Sequence, residues 1–314
     1  MPLYINESEV ESVLDMDSVL DAVEGVQRRL ATGEAENLPR RRILQSGRTL
    51  HLMAASDEGC GYAGHKSYLA TAGGISFSVL LYEIASGQLA AVIEANRLGQ
   101  LRTGAASGVA SRHLARPESS ALGIVGGGFQ AQTQVEAICR TLPIRSVRAF
   151  RRDRERLEGF CGEISDRCGV AATAAESAEA AIDGADVIVT ATNSADPVLD
   201  GYLEDGVHVN AMGSNRANAA ELGPLTVGGF DRVVCDDIAQ ARIESGDLLR
   251  ANAAGTFSWG TAVALGDVIA GKARGRNGPG EKTLFESLGI AAWDIAAAAI
   301  VLERARDRGL GREL

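Results

Sequence analysis

The spacing of apolar residues divides the chain into two unlike stretches. From Ser8 to Ala31, Val10, Val13, Leu14, Met16, Val19, Leu20, Val23 and Val26 recur at helical spacing, which predicts one amphipathic helix. Leu38-Pro39 breaks the pattern. Strand-like runs follow around Arg42-Ile43-Leu44, at Thr49 to Met53, Tyr62 to Tyr68 and Ser76 to Ile84. Ser86-Gly87 reads as a hairpin turn into Gln88 to Glu94. The first third is expected to be a helix followed by a mostly antiparallel sheet, then a helix rich in small residues from Leu98 to Leu114.

At Ala115-Arg116-Pro117-Glu118-Ser119-Ser120 proline and polar residues mark a boundary. Beyond it nearly continuous apolar strands are expected at Ala121 to Val125, Ser146 to Phe150, Asp186 to Ala191, Val207 to Ala211 and Arg232 to Cys235. Helices open at Gly128 and Asp153 between them, the alternation expected of parallel strands buried on both faces. Gly271 to Gly280 reads as a loop, and Glu286 to Arg306 as a last long helix.

Composition narrows the function classes. A chain of 314 residues with 46% hydrophobic residues supports two domains, or one large one, with a sizeable core. A formal charge of −10 argues against nucleic-acid binding. Cys60, Cys139, Cys161, Cys168 and Cys235 form no C-x-x-C, which fits a reducing, cytoplasmic setting. The N-terminus lacks the pattern of a signal peptide, and the longest apolar run, Ile290 to Leu302, is interrupted by Asp294, so no membrane span is expected. His51, His65, His113 and His208 make no i, i+4 pair, and no metal site is expected. Asp236-Asp237 resembles a metal pair in isolation but reads better as a capping turn after its strand. Glu244-Ser245-Gly246-Asp247 reads as a turn, and no G-x-S-x-G is present.

The chemistry concentrates at Val125-Gly126-Gly127-Gly128-Phe129-Gln130-Ala131, a G-x-G-x-x-A that follows a predicted strand and opens a predicted helix. Gly126 permits the tight turn, Gly128 lets backbone approach a pyrophosphate, and Ala131 lets helix and sheet pack closely. The helix start presents N–H groups and positive partial charge to phosphate. At the end of the second strand stands Phe150-Arg151-Arg152-Asp153, where NAD sites commonly carry an acid. Arg151 and Arg152 suit a ribose 2′-phosphate and favour NADP(H), with NAD(H) admitted. Two other readings stand: the arginines as a solvated helix start, or Asp153 as the ribose acceptor.

Several further stretches carry a resemblance. Asn96-Arg97-Leu98-Gly99-Gln100-Leu101-Arg102-Thr103-Gly104-Ala105-Ala106-Ser107, Leu114-Ala115-Arg116-Pro117 and the glycine motif occur with Met53, Lys66, Asp186 to Thr192 followed by Pro197, Gly213-Ser214-Asn215 with Glu221-Leu222, and Asp236-Asp237 with Glu244-Ser245-Gly246. In this order the chain resembles the ornithine cyclodeaminase/mu-crystallin family across nearly its whole length. The resemblance implies an α/β homodimer built from a Rossmann NAD(P)-binding domain, residues 117–291, and a discontinuous α+β substrate-binding and dimerisation domain, residues 1–116 plus 292–314.

It also implies roles. Arg41, Lys66 and Arg102 would clamp a substrate carboxylate, with Arg40 the alternative to Arg41 and a solvated basic run the plain reading of Arg40-Arg41-Arg42. Lys66, which unaided reads equally as a surface lysine, becomes the candidate proton donor, and Asn215 would orient the nitrogen. His51 and Met53 would touch substrate. Thr103, Gly126, Gly128, Phe129, Gln130, Arg151, Arg152, Thr192, Met212 and Gly213 would hold the cofactor. Two departures matter: cyclodeaminases proper carry an aspartate at the place of Asn215 and a glutamate at the place of His51. Hydride transfer needs neither acid. The expected activity is NAD(P)H-dependent reduction of a small cyclic or linear imino acid, such as 1-pyrroline-2-carboxylate or 1-piperideine-2-carboxylate, or the reverse amino-acid dehydrogenation. An ammonia lyase with bound NAD and a non-catalytic NADPH or small-molecule binder are the alternatives.

Overall fold

The computed structural model describes residues 1–71 and 73–314, which fall into two compact units. The first unit is residues 1–102 with 290–314, and the second is residues 103–289.

In the first unit the expected single N-terminal helix is two: α1 (Glu7–Val13) and α2 (Met16–Thr32). Asp15 breaks them apart. It adopts extended backbone, and its carboxylate accepts the Ser18 N–H at 2.9 Å, so an N-cap interrupts the apolar period. The sheet contains β1 (Leu3–Ile5), β2 (Ala35–Gln45), β3 (Arg48–Asp57), β4 (Tyr62–Thr71), β5 (Gly74–Glu83) and β6 (Leu89–Glu94). β2 to β6 form an antiparallel meander, and β1 joins β6 in parallel. α3 (Asn96–Leu114) starts in this unit and continues into the second beyond Arg102. The chain's last helix, α11 (Ala291–Arg308), lies on β3, β4 and β5, and β15 (Arg312–Glu313) edges the sheet on β1. This helix begins later than the pattern predicts because Thr283–Glu286 is a buried strand.

The second unit is an all-parallel, doubly wound sheet. Its strands are β7 (Ala121–Val125), β8 (Ser146–Phe150), β9 (Ala171–Ala174), β10 (Val187–Thr190), β11 (His208–Ala211), β12 (Arg232–Cys235), β13 (Val263–Ala264) and β14 (Thr283–Glu286). They lie in the order β13-β12-β14-β11-β10-β7-β8-β9. Helices α4 (Phe129–Thr141), α5 (Arg154–Cys168), α6 (Ala178–Ile182), α7 (Pro224–Gly228), α8 (Ile238–Glu244), α9 (Gly246–Ala253) and α10 (Leu265–Ile269) connect them. Both faces are covered: Val187 and Val189 pack in one apolar cluster, and Ile188 between them packs in the other. Asp237 caps α8 through the Gln240 N–H, as the capping reading expected. Ser245 ends α8 and caps α9, so the expected turn is a junction between helices. Among the described residues no helix is long and apolar enough to cross a membrane, and no His/Cys/Asp/Glu group is disposed to hold a metal.

Candidate active site

The order of strands places β7 and β10 side by side, with the chain winding outward from each. At such a switch point the loops diverge and leave a crevice at the carboxyl ends of the strands. A cleft of about 800 Å³ occupies that position, lined by the segments that follow β7, β8 and β10. Gly126, Gly128, Phe129, Gln130, Arg151, Arg152 and Thr192 all line it.

The cleft's chemistry suits a dinucleotide. Gly126 has φ 116°, and a Cβ there would stand 2.3 Å from the Ala191 carbonyl oxygen, so only glycine carries the chain past β10. A Cβ on Gly128 would meet nothing within 4 Å, and Gly128 caps α4 without a side-chain hydrogen bond. The start of α4 therefore offers an anion its positive end from an open approach. Gln130 Oε1 is buried there without a donor. Arg151 Nη1 donates to the Gly127 carbonyl at 2.5 Å and braces the glycine loop, while Arg152 is exposed at the rim. The Asp153 carboxylate is engaged on α5, accepting the Arg156 N–H at 3.2 Å and lying 3.3 Å from the Arg156 Nε. It serves as a cap.

Thr103, Met212 and Gly213 stand outside that lining. Thr103 is buried in α3, where its carbonyl accepts from Gln134 Nε2 at 3.0 Å. Met212 N–H donates to the Thr190 carbonyl, and Gly213 N–H donates to the Glu221 carboxylate. Asn215 is half-buried in the loop after β11.

The first unit holds the cationic candidates. β3 and β4 pair Met53 with Lys66, and His51 with Tyr68 one row away on the same face. Lys66 is 2% exposed, and its Nζ donates to Asp294 Oδ1 at 2.8 Å and sits 4.9 Å from the Phe77 ring centre. Arg102 Nε donates to the same Asp294 oxygen at 3.0 Å. Arg40 Nε donates to Met53 Sδ at 3.4 Å, which puts a third cation on this face. Arg102 Nη1 and Asp294 Oδ2 are buried without partners. Burial pushes Lys66 down to about 8, with Arg102 and Arg40 acting the same way and Asp294 opposing them. His51 stacks on Tyr68 at 4.2 Å, and burial with Arg42 and Arg40 lowers it to about 4, so the ring is neutral at ordinary pH.

Two points correct the sequence reading. Arg41 does not face this cluster. It pairs with Leu52, and both are exposed on the opposite face of the sheet, so strand alternation turns Arg40 inward in its place. In the sequence Asp294 shows only as an interruption of an apolar run, yet it is fully buried and joins Lys66 to Arg102. A lone acid in an otherwise apolar helix was the available signal, because such a charge needs a buried partner.

Comparison with known proteins agrees with this architecture. The family model described as ornithine cyclodeaminase/mu-crystallin matches residues 2–309. The chain belongs to that family. It is 37% identical over 237 residues to a Delta(1)-pyrroline-2-carboxylate reductase of Bacillus cereus, covering 75% of this chain and 73% of that one. It is 33% identical over 321 residues to an alanine dehydrogenase of Archaeoglobus fulgidus, covering 99% and 98%. The structure of Thermococcus litoralis Delta(1)-pyrroline-2-carboxylate reductase in complex with NADH and L-proline superposes with TM-score 0.95 at 29% identity, covering 99% of this chain and 100% of that one.

Proposed function

We propose that this chain is an oxidoreductase that reduces a small imino acid to the amino acid, or runs the reverse oxidation, with a nicotinamide dinucleotide. A bound nicotinamide supplies or accepts the hydride. The reading is carried by one observation: Lys66 and Arg102 share the one buried carboxylate of Asp294, two cations to one acid, and Arg102 Nη1 is left without an acceptor. An α-imino acid brings the missing anionic group.

In this reading Arg40 and Arg102 hold the substrate carboxylate, and Lys66 exchanges a proton with the nitrogen. Asn215 orients that nitrogen, and His51 and Met53 border the substrate. The α4 start, with Gly126 and Gly128, receives the pyrophosphate. Phe129, Gln130, Thr192, Met212 and Gly213 bound the rest of the cofactor, and Thr103 supports a phosphate. The active species is a homodimer assembled through the first unit.

The deciding assay follows loss of NADPH or NADH absorbance with 1-pyrroline-2-carboxylate, 1-piperideine-2-carboxylate, and pyruvate with ammonia or methylamine. Rapid oxidation with one imine is expected. Silence across the panel with ammonia released from ornithine would replace the reductase by a lyase. Silence in both assays with NADPH still bound would favour a binding role.

Arg151 and Arg152 favour NADP(H), because Asp153 is already engaged as a cap and the guanidinium groups suit a 2′-phosphate. Arg152→Ala keeps the Gly127 brace and should raise the KM for NADPH about ten-fold, one charge-assisted contact, while leaving that for NADH nearly unchanged. The double Arg151→Ala, Arg152→Ala variant also loses the Gly127 brace and should raise the KM for both cofactors, that for NADPH more. Equal losses for both cofactors would contradict the 2′-phosphate assignment.

A further inference from the structure

Glu221 has no part in the chemistry above, yet it is among the most heavily engaged carboxylates in the second unit. It is 1% exposed. Its Oε1 accepts the Thr192 N–H at 2.6 Å, and its Oε2 accepts the Gly213 N–H at 2.6 Å and the Thr190 hydroxyl at 2.9 Å. Thr192 follows β10 and lines the cleft; Gly213 follows β11. A Cβ on Gly213 would stand 2.4 Å from both Glu221 Oε1 and the Thr192 carbonyl oxygen, so carboxylate and loops meet with no room for a side chain. The Glu221 and Leu222 N–H groups are held in turn by Asp247 Oδ1, at 2.8 and 2.5 Å.

We infer that Glu221 is a positioning residue of the dinucleotide cleft: its carboxylate ties the backbone after β10 to the backbone after β11 and so sets where Thr192 stands on the cleft wall. The inference rests on the cleft being a dinucleotide site. An amide or an alcohol in place of the carboxylate cannot accept from both loops and Thr190 at once. The ionised carboxylate, with two acceptor oxygens, holds all three donors most strongly, although burying it is costly.

The charge state of Glu221 is adjustable. Burial raises it to about 7, and the adjacent Asp247 of α9 adds to the rise. Glu286 of β14, also acidic, shares its electrostatic environment. A proton on Oε2 makes that oxygen a donor. The Thr190 hydroxyl can rotate to accept from it, while the Gly213 N–H is left with the weaker lone pair of a neutral hydroxyl oxygen, so the tie to β11 is weakened.

The test is NADH binding to the purified chain by fluorescence from pH 6 to pH 8. For a group titrating near 7 whose charged form holds the loops more tightly than the neutral acid, affinity should weaken from pH 8 to pH 6 by up to about ten-fold, the ratio of the charged fractions at the two ends. Glu221→Gln, which accepts through one oxygen only, should bind at the weaker level throughout and show no pH dependence in this range. Thr190→Val removes one donor to the charged carboxylate but leaves both loop N–H groups in place, so the pH dependence should persist with its break moved upward. A Glu221→Gln variant with wild-type affinity or wild-type pH dependence would overturn the inference. Should that variant fail to fold, a flat profile in the wild type and Thr190→Val would overturn it equally. If the wild type bound neither NADH nor NADPH at any pH, the cleft reading would fall first and this inference with it.

Discussion

Replacing Lys66 with methionine should lower kcat for imine reduction by about 10²- to 10⁴-fold, the usual contribution of a positioned proton donor. NADPH affinity should stay within about two-fold, the change being confined to the first unit. Methionine has nearly the length of lysine and no charge, so it keeps the packing against Phe77 and removes only the ammonium. The pH profile is the sharper readout. Lys66 lies at about 8 instead of 10.5, chiefly through burial, with Arg102 and Arg40 adding their repulsion and Asp294 partly restoring the charged form. The ammonium, the species that donates, predominates below about 8 and is lost above it. In the reductive direction kcat/KM should be level at low pH and fall through about 8. In the oxidative direction the amine is the acceptor, so the profile should rise through the same point. Both breaks should vanish in Lys66→Met. Normal turnover in that variant, or breaks that survive it, would assign the proton to another group.

The parts of this protein legible in its sequence are those where local chemistry and tertiary packing agree. β7, β8 and β12 fall where continuous apolar runs predict them, and α4 starts at the residue after Gly128, because buried parallel strands and glycine turns need particular residues locally. The misses are places where a neighbour far along the chain decides. Leu14 ends one helix and Asp15 caps the next inside an unbroken apolar period. Thr283–Glu286 is a strand because it pairs between β11 and β12, although it runs straight toward a helix. The choice between Arg40 and Arg41 depends on a register shift in β2 between Leu38 and Arg41, which the alternation of residue types cannot show. Glu221 was visible only as part of a matching motif. Its three donors come from Thr190, Thr192 and Gly213, brought together by adjacent parallel strands.

Asp294 carries the second large expected effect. Its carboxylate is fully buried and is shared by Lys66 and Arg102, and Arg102 also lies 5.8 Å from the Trp293 ring centre. Removing one member of a buried ion pair strands its partners, at a cost of about 3–5 kcal/mol. Here two cations share the one oxygen, so Asp294→Ala should unfold at a clearly lower temperature than the wild type and lose activity with it. Asp294→Asn separates charge from shape. The amide keeps an oxygen for one donor, and the loss of negative charge removes the main influence that holds Lys66 in its charged form. The reductive pH profile of Asp294→Asn should therefore break below 8, shifted toward acid, while its kcat at low pH stays closer to the wild-type value than that of Lys66→Met. Thermal unfolding and the pH profile read the two effects independently. An unshifted break in Asp294→Asn would mean that Lys66 owes its charge to another group, and an unchanged unfolding temperature in Asp294→Ala would mean that the two cations are compensated without Asp294.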